Sequence, residues 1–545
     1  RISYSGGWLA WIENRPHVRW ETVGFTTIIM LNPTTGELRK LKTSDRNFSP
    51  VAAPNGKDIA VITIGTLGES YLKIIKSDQK TESIPFPAGL FAASLQWSPD
   101  GKQIIFILTG NKGKALACAS PGKTDIHFLT PFSYSEISNP AFADDLIFFS
   151  GTFSGKSQIF KLNPATKSLF VCTNEPFGAT QASIAQHQML YATYTADGYR
   201  IANVDLTKSN EFAYEPEKAP EFPLAEILSE QENHFSFPDS ITTSPYKAKT
   251  YKKGLNLFGI HSWAPVFVDI GGETVRPGIS VMSQNLLSTL SISAGYDYNM
   301  DEKEGMIRSE ITWKGWFPVF SAKFSTGKRA SMTNEQNETP RRFTWNETNF
   351  DFSISQSLNL SRGPYSTGLF AEISHNLTHL EHDVSTPIEF TKGDLSGLTY
   401  RTFFYHYKRQ AYRDLAPQKG FNLELKYRHT PFGQIKAGNI AAVAAQVYLP
   451  GLAANHSFQI YSGFQQSNPE TYRFANIISV SRGYLIIPNA DKVSSLKAIY
   501  RLPLFYPDRH LGGLLFIKRI RAAAFYDFTS ALSSGKTTYY NSAGA

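Results

Sequence analysis

The densest group of side chains able to bind a metal or move protons lies between residues 375 and 383. It contains His375, His379, Glu381, His382 and Asp383, and imidazole and carboxylate groups are common zinc ligands. On a β-strand, His375 and His379 share one face while His382 points to the other, whereas a loop could bring all three around one ion. A solvated loop accounts for the cluster equally well. We therefore predict no metal site and keep the three histidines only as candidates.

Other catalytic motifs are absent from the sequence. It contains no G-x-S-x-G, H-E-x-x-H, Walker, G-x-G-x-x-G or C-x-x-C pattern. Cys118 and Cys172 are its only cysteines, and their spacing suits neither a disulfide framework nor a metal site, so we predict two small buried side chains. We expect no enzyme activity and no cofactor.

Charge and hydropathy exclude further classes of protein. The 545 residues include 54 Lys and Arg against 46 Asp and Glu, a net charge of +8, without the basic run typical of nucleic-acid binding. The sequence has no stretch of 18 apolar residues, which excludes a transmembrane helix but leaves transmembrane strands open. With only 18% charged residues, the composition favours many short strands in at least two domains.

A hairpin repeats through the first two hundred residues. In its clearest copy, Trp97-Ser98-Pro99-Asp100-Gly101, Pro99 presets φ and Gly101 accepts a positive φ, so two apolar strands can meet in a tight turn. The turns centre on Gly7, Gly56, Gly101, Asp145 and Gln188, which are 49, 45, 44 and 43 residues apart. This period predicts five four-stranded propeller blades. We predict that Asp100 and Asp145 stabilise turns rather than bind a ligand.

A second hairpin recurs within the unit, at residues 28–38 and 159–169. With its W-S-P-D-G turn, the stretch from residue 1 to 206 resembles TolB-like propellers, and we assign residues 1–210 to this domain. Propellers of that family usually have six or more blades, and the sequence starts inside a repeat. We therefore expect propeller sequence upstream of Arg1, with a five-bladed ring as the alternative.

An acidic, proline-rich segment separates this domain from the rest of the chain. Residues 211–250 contain seven Glu and five Pro, a composition that cannot bury a core. We predict an interdomain linker with one helical turn near Leu224 to Leu228.

Beyond the linker, residues 251–545 alternate apolar and polar side chains with a period of two. In the clearest segment, Leu290, Ile292 and Tyr296 share one face while Ser293 and Asp297 share the other. The alternation recurs at 350–354, 421–427, 458–464 and 496–502. It predicts either a soluble β-sandwich or a transmembrane β-barrel.

Three features favour the barrel. The faces opposite the apolar ones are strongly polar, as with Glu424, Lys426 and Arg428, which suits a wet lumen. Aromatic residues cluster near predicted strand ends, where rings would lie at headgroup depth; they are Trp313, Trp316, Phe317 and Trp345. Connections alternate between long polar stretches, such as 329–342, and short turns, such as Pro364-Tyr365.

The tetrad Ser481-Arg482-Gly483-Tyr484 precedes a strand ending in Tyr500-Arg501-Leu502-Pro503-Leu504 and then Phe525-Tyr526-Asp527. In this ordered set the chain resembles the bacterial surface antigen family, which includes the BamA-like barrels of outer-membrane insertases and two-partner secretion transporters. The resemblance implies that the tetrad tips a loop folded into the lumen and that Arg482 meets Asp527. An arginine inside a barrel needs such a carboxylate, and Gly483 allows a sharp turn.

Two departures from the family matter. Thr529 stands where the F-x-D-x-G motif of the family has its glycine, which weakens the expected contact between Arg482 and Asp527. A propeller takes the place of the POTRA repeats that receive substrate in those relatives, which puts a direct transfer of insertase activity in doubt. The combination of propeller and barrel is similar to proteins of Bacteroidetes type.

The resemblance implies an all-β fold, a β-propeller followed by a 16-stranded transmembrane β-barrel. The barrel occupies residues 251–545, and its first strands start at about Val275. The tetrad loop joins strands 11 and 12, Phe525 and Asp527 lie in strand 13, and Ser542 begins strand 14. We therefore expect roughly three more strands beyond Ala545.

The implied function is assembly, insertion or translocation of proteins at the outer membrane of a Gram-negative bacterium, with the propeller in the periplasm as a docking platform. The implied partners are outer-membrane lipid and protein substrates or envelope-complex subunits, without nucleic acid. The alternative is an accessory or scaffold barrel in a larger complex, the propeller docking one partner. A third reading, an anchor for a surface hydrolase, requires a catalytic domain upstream of Arg1.

Overall fold

The computed structural model describes residues 2–43, 45–65, 68–207, 212–214, 223–232, 249–268, 275–333, 340–484 and 487–545. The chain divides into two compact units. Unit 1 comprises Arg1–His17 and Thr22–Tyr246, and unit 2 comprises Val18–Glu21 and Lys247–Ala545. Both units consist almost entirely of antiparallel β-strands.

Unit 1 contains five consecutive antiparallel sheets, the blades of a β-propeller. The first sheet holds β1 (Ser3–Ser5), β2 (Trp8–Pro16), β3 (Gly24–Leu31) and β4 (Leu38–Lys42), and the second holds β5 (Arg46–Ala52), β6 (Ile59–Ile64), β7 (Ser70–Ile75) and β8 (Thr81–Pro85). The third holds β9 (Phe91–Trp97), β10 (Ile104–Gly110), β11 (Gly113–Ala119) and β12 (Ile126–Phe128). The fourth holds β13 (Ile137–Ala143), β14 (Leu146–Gly151), β15 (Gln158–Leu162), β16 (Leu169–Val171) and β20 (Phe212–Ala213), and the fifth holds β17 (Ala179–Ala185), β18 (Gln188–Thr195) and β19 (Gly198–Asp205).

The predicted repeat is confirmed by this arrangement. Each predicted turn joins the first two strands of a sheet, and Gly7, Gly56 and Gly101 adopt positive φ angles of 79°, 66° and 71°. The second predicted hairpin joins the third and fourth strands of the first and fourth sheets. The number of blades was therefore predictable from the residue types that form the turns.

A second repeated feature was not predicted. The first strand of each of the last four sheets contains a β-bulge, where its register with the next strand shifts. At each bulge one residue other than glycine has a positive φ: Ser49 (48°), Ser94 (58°), Asn139 (52°) and Gln181 (61°). Two of the four are serine and the others are asparagine and glutamine, so no single residue type marks the bulge.

Apolar clusters between neighbouring sheets form the core of unit 1. Trp97 packs with residues of the second and third sheets, and its indole Nε1 donates a hydrogen bond to Val51 O at 3.2 Å. Cys118 and Cys172 are buried in two different clusters, as the sequence predicted. Each blade therefore buries its apolar face against the next blade.

The segment between the predicted domains is only partly described. The predicted linker, 211–250, lies largely outside the described residues. Within it, β20 pairs with β16 beyond the predicted end of the propeller at residue 210, and the helix α1 (Pro223–Gln231) covers the predicted helical turn. Among the described residues, no helix is long and apolar enough to cross a membrane.

Unit 2 contains one antiparallel sheet of fourteen strands whose spatial order follows the chain. A short 3-10 helix, η1 (Lys253–Asn256), precedes it. The strands are β21 (Ile260–Val268), β22 (Val275–Gln284), β23 (Leu290–Asn299), β24 (Glu304–Trp313), β25 (Val319–Met332), β26 (Arg342–Asn359), β27 (Tyr365–His382), β28 (Gly393–Lys408), β29 (Gly420–Gly433), β30 (Asn439–Pro450), β31 (Ser457–Asn468), β32 (Lys492–Phe505), β35 (Ile520–Ser533) and β36 (Lys536–Gly544). A separate small hairpin, β33 (Arg509–Leu511) and β34 (Leu515–Ile517), lies between β32 and β35.

The two faces of this sheet reverse the usual relation between polarity and burial. On β23, the polar Ser293 and Asp297 are each 1% exposed, while Tyr296 on the opposite face is 43% exposed. Buried polar residues recur on β22, β25, β31, β32 and β35, and exposed large apolar residues recur on β24, β26, β29, β30 and β31. The predicted alternation is present, with the polar face as the buried one.

Ion pairs occupy the polar face near its N-terminal strands. Asp297 accepts hydrogen bonds from Arg276 Nη1 at 2.8 Å and from Arg308 Nε at 2.5 Å. Arg329 bridges Glu302 and Glu347 at 2.7 and 3.2 Å. A buried carboxylate such as Asp297 requires these cationic partners.

Two predicted strand positions were wrong. The sheet starts at Ile260 in β21, one strand before Val275, because two register shifts and Pro265 interrupt the alternation of β21. Strand 14 starts at Lys536 rather than Ser542, since Ser534 and Gly535 form its turn and a polar run follows. The sheet thus holds fourteen of the sixteen predicted strands, and the remaining two stay a prediction.

The propeller turn at Asp100 predicts a dependence of stability on pH. Asp100 Oδ1 accepts hydrogen bonds from Ser98 Oγ at 2.7 Å and Lys102 N at 3.0 Å, and these lower the pKa of Asp100 from 3.8 to about 2. Because the pKa of Asp100 is lower in the folded state than in the unfolded state, the ionised carboxylate stabilises the folded state at pH values above the unfolded-state pKa. This stabilisation is lost as the pH falls from about 4 to about 2. We expect the melting temperature of wild type to fall more over this range than that of Asp100→Asn, by circular dichroism.

Asp145→Asn, in the equivalent turn of the fourth sheet, is the control. Among the described residues, the Asp145 side chain makes no hydrogen bond or ion pair, so this variant should keep the pH dependence of wild type. Equal pH dependence of wild type and Asp100→Asn would contradict the assigned turn contacts.

Candidate functional site

The candidate site is the connection between β31 and β32, residues 469–491, which packs on the polar face of the large sheet. β31 and β32 are the eleventh and twelfth strands of the sheet, and β35 is the thirteenth, as the sequence predicted. The loop contains the tetrad Ser481-Arg482-Gly483-Tyr484, and each polar side chain of the tetrad contacts β35 or β36.

Arg482 and Asp527 form a bidentate ion pair. Arg482 Nε donates to Asp527 Oδ2 at 2.7 Å and Nη2 donates to Oδ1 at 2.8 Å, while the backbone N of Arg482 also donates to Oδ2 at 3.2 Å. The Arg482 guanidinium also lies 3.6 Å from the centre of the Phe525 ring, a cation–π contact. Asp527 is 0% exposed, so its negative charge depends on this partner.

Thr529 helps to attach the loop to β35, whereas the sequence predicted that it would weaken the contact between Arg482 and Asp527. Its Oγ1 accepts a hydrogen bond from Ser481 N at 2.9 Å and lies 2.8 Å from Ser481 Oγ, while Ser481 Oγ also donates to Tyr540 O at 3.0 Å. Glycine at position 529 could not make the side-chain contacts. Thr529 therefore adds a second polar contact between the loop and β35.

The other two residues of the tetrad complete the turn. Gly483 adopts a φ of +84°, a left-handed conformation that favours glycine. Tyr484 Oη donates to Asn541 O at 2.8 Å and accepts from Asn541 N at 3.1 Å, and its ring meets the edge of Tyr540. The tetrad is thus bound to both of the last two strands of the sheet.

A second attachment of the loop was missed by sequence reasoning. Gln465, buried on β31, donates to Asn476 Oδ1 at 2.7 Å and accepts from the backbone N of Ile477 and Ile478. Phe474 is buried in a small apolar cluster, and the Arg428 guanidinium lies 4.5 Å from the centre of its ring. Arg428 belongs to β29, the ninth strand. In the sequence, this attachment is indicated only by the alternation that assigns Arg428 and Gln465 to the polar face of their strands.

Lys497 adds a second positive charge beside the buried carboxylate. It lies directly opposite Asp527 in the pairing of β32 with β35, and its Nζ donates to Ser479 Oγ at 2.6 Å. Lys497 is itself nearly buried. The loop is therefore attached at Ser479, Ser481 and Arg482 within four residues.

The candidate metal histidines do not converge. On β27, His379 Nδ1 lies 2.6 Å from Asp394 Oδ1, His375 Nε2 lies 2.8 Å from Ser396 Oγ, and His382 Nε2 donates to Phe390 O at 2.6 Å. Among the residues that the structure describes, no three His, Cys, Asp or Glu side chains are arranged to hold a metal ion. Each imidazole instead has its own partner on the sheet or an adjoining loop.

The propeller turn residues act locally. Trp97 is buried between two sheets, Asp100 closes its own turn, and Pro99 and Gly101 shape that turn. These contacts agree with a structural role in the blade.

No protein-family model matches the sequence, and no curated protein matches it. Among solved structures, the chain is similar to one described as TolB from Agrobacterium tumefaciens, at 15% identity and a TM-score of 0.30, covering 37% of this chain and 87% of that one. TolB from Acinetobacter baumannii matches at 13% identity and a TM-score of 0.32, covering 57% and 63%. A prolyl endopeptidase matches at 8% identity and a TM-score of 0.30, covering 70% and 54%. TM-scores this low carry no functional argument.

We predict that Arg482→Ala lowers the stability of unit 2 by about 2 kcal/mol, because it leaves the buried Asp527 carboxylate without its main partner. Arg482→Lys should lose less, since it keeps the charge but not the bidentate geometry. The temperature at which the folded form ceases to resist SDS in gel electrophoresis would measure the loss.

Arg473→Ala is the matched control within the same loop. Arg473 pairs with Asp491 at 2.6 Å, but both side chains are partly exposed, so its removal should cost less than about 1 kcal/mol. If the Arg482→Ala variant proved as stable as the Arg473→Ala variant, this result would contradict a structural role for the pair of Arg482 and Asp527.

Proposed function

We propose that this protein is an outer-membrane β-barrel protein that acts in the assembly, insertion or translocation of proteins at that membrane, with its propeller in the periplasm. Under this proposal unit 2 closes as a barrel of sixteen strands. The apolar face of the sheet contacts lipid, the polar face lines a lumen, and the propeller provides a docking platform for substrates or envelope-complex subunits.

The observation that carries the membrane location is the reversed burial of the fourteen-stranded sheet. A soluble sandwich buries its apolar face between two sheets, yet on β29 the apolar side chains Phe421, Leu425 and Tyr427 are 43%, 47% and 40% exposed. Large contiguous apolar surfaces on a soluble protein are unfavourable. Lipid removes this cost, and water or the inward loop can solvate the opposite face.

Aromatic side chains at one end of the sheet add support. Trp313 ends β24, and Trp316 and Phe317 follow in the turn to β25, where both are exposed. Trp313 and Trp316 pack edge to face, with ring centres 6.1 Å apart. Amphipathic rings at strand ends are typical of the boundary between lipid and water.

The attached loop supports the functional part of the proposal. The geometry of Arg482 and Asp527 is the one that the resemblance to outer-membrane insertases and secretion transporters implies, and Thr529 reinforces it. A loop bound to β29 through Phe474 and to β35 through Arg482 spans the polar face of several strands. Such a loop can stabilise the wall of the barrel beside the last strands, where a substrate strand would enter.

The membrane location can be tested with two neighbouring labels on β29. Leu425→Cys and Lys426→Cys, on opposite faces of one strand, would carry an environment-sensitive fluorophore in the full chain reconstituted into lipid vesicles. We expect lipid spin-labelled in its acyl chains to quench the label at 425 and to spare the label at 426. Absence of quenching at both positions would refute a lipid-facing sheet.

The role in assembly can be tested by depleting the protein from its native cell. We expect the abundance of many other outer-membrane barrels to fall, and expression of Arg473→Ala to restore them better than Arg482→Ala. Quantitative proteomics of the outer-membrane fraction would measure both. Loss of a single partner would instead favour the scaffold alternative, and an unchanged fraction would contradict both functions.

A further inference from the structure

Two connections at one end of the large sheet form a basic, apolar surface that the inward loop and the ion pairs do not use. They are taken with the adjoining ends of their strands: residues 408–419, from the end of β28 to the start of β29, and residues 505–521, from the end of β32 to the start of β35, which contain the β33–β34 hairpin. Both follow an even-numbered strand of the antiparallel sheet, so they lie at the same end. We call these two segments the basic platform.

The two segments are joined by specific contacts. Tyr506 Oη donates to Arg413 O at 2.8 Å, and Arg519 Nη1 donates to Asp414 O at 3.2 Å. Lys518 Nζ lies 4.1 Å from the centre of the Tyr412 ring. All three contacts run from side chains of 505–521 to 408–419, and they join the two segments into one surface rather than two independent loops.

The platform concentrates the positive charge of the chain. It contains eight Lys and Arg against two Asp, a net charge of +6 where the whole chain has +8. The cations are Lys408, Arg409, Arg413, Lys419, Arg509, Lys518, Arg519 and Arg521. This concentration of charge is not apparent in the sequence because the two segments are almost a hundred residues apart.

The platform also exposes large apolar side chains beside these cations. Leu514 at the tip of the hairpin is fully exposed, and more than 40% of the surface of each neighbouring apolar side chain is accessible: Tyr412, Phe505, Leu511, Leu515 and Phe516. The hairpin pairs its own backbone from Arg509 to Ile517. An element with satisfied backbone groups, an apolar tip and basic flanks suits the boundary between acyl chains and headgroups.

The platform continues the apolar face of the sheet. Leu504 and Ile520, exposed at the adjoining ends of β32 and β35, lead from that face into the hairpin. A lipid surface can therefore contact both without interruption. This continuity favours lipid over a separate protein partner.

We infer that the basic platform inserts Leu514, Leu515 and Phe516 into the interfacial region of one membrane leaflet while its Lys and Arg side chains bind anionic phospholipid headgroups. The inference rests on the proposed membrane location of the sheet and goes beyond it. Phosphate groups attract the cations, and the acyl chains remove the apolar tip from water. The platform would fix the depth and tilt of the barrel at the end where β21 begins.

The test places a fluorophore on Leu514→Cys in the full chain, reconstituted into phosphatidylcholine vesicles with or without about one third phosphatidylglycerol. We expect spin-labelled lipid to quench this label about twofold more strongly in the anionic vesicles. Arg509→Gln combined with Arg521→Gln should reduce that difference, because it removes two of the eight cations of the platform. The native cysteines are buried, and unlabelled wild type gives the background.

Two control labels separate the possible failures. Lys303→Cys lies in a connection at the opposite end of the sheet and should stay unquenched, whereas Leu425→Cys reports the lipid-facing strands. Quenching at 425 without quenching at 514 would overturn the platform inference alone, and no quenching at 425 would overturn the membrane location together with it. Quenching at 514 that ignores lipid charge would overturn headgroup binding.

A protein partner is a further outcome that would overturn the inference. In that case a fluorophore at position 514 would remain unquenched when the purified protein is in vesicles. In isolated native membranes, the cysteine of Leu514→Cys would nevertheless fail to react with a water-soluble maleimide. Reaction with maleimide in vesicles and protection in native membranes would identify a protein rather than lipid as the occupant.

Discussion

Hydrogen bonding between neighbouring strands is the constraint on which unit 2 depends. Its sheet contains only small apolar clusters, and many of its largest apolar side chains lie on the exposed face. The strands must therefore pair over long runs, as β26 does with β27 from Trp345 to Asn359. Because side chains alternate across each strand, a slip of one residue in that register would move every charged group to the apolar face.

In unit 1, by contrast, the buried side chains are mainly apolar. Its blades are stabilised by apolar side chains buried between sheets, and its polar turn residues, such as Asp100, remain at the surface. One chain thus combines a domain with an apolar core and a sheet whose buried side is polar. The loop between β31 and β32 reflects this difference, because Arg482, Lys497 and Asp527 meet on the buried side of the sheet, where unit 1 places leucine or isoleucine.

The sequence was most informative where a residue type has one dominant physical use. Proline and glycine marked the blade turns, period-two alternation marked the long strands, and the order of the tetrad and Asp527 identified their contact. It was less informative where tertiary contacts decide. The sequence predicted that Thr529 would weaken the contact between Arg482 and Asp527, because it does not show that Ser481 bonds to Thr529. The contact between Arg428 and Phe474 joins residues that belong to no common motif. Strand β21 was missed because register shifts hide its alternation, and the four bulges of unit 1 have no single residue type in common.

The order of strands in unit 2 has a consequence for how the protein reaches its native state. Apart from the small hairpin before β35, each strand pairs with the strand that precedes it in the chain. Each strand pairing therefore joins consecutive segments of the chain, which limits the entropy lost on closing each loop. The sheet can grow one hairpin at a time. The loop between β31 and β32 can contact β29 and β31 as soon as these strands have paired, whereas Arg482 gains its partner only when β35 is added.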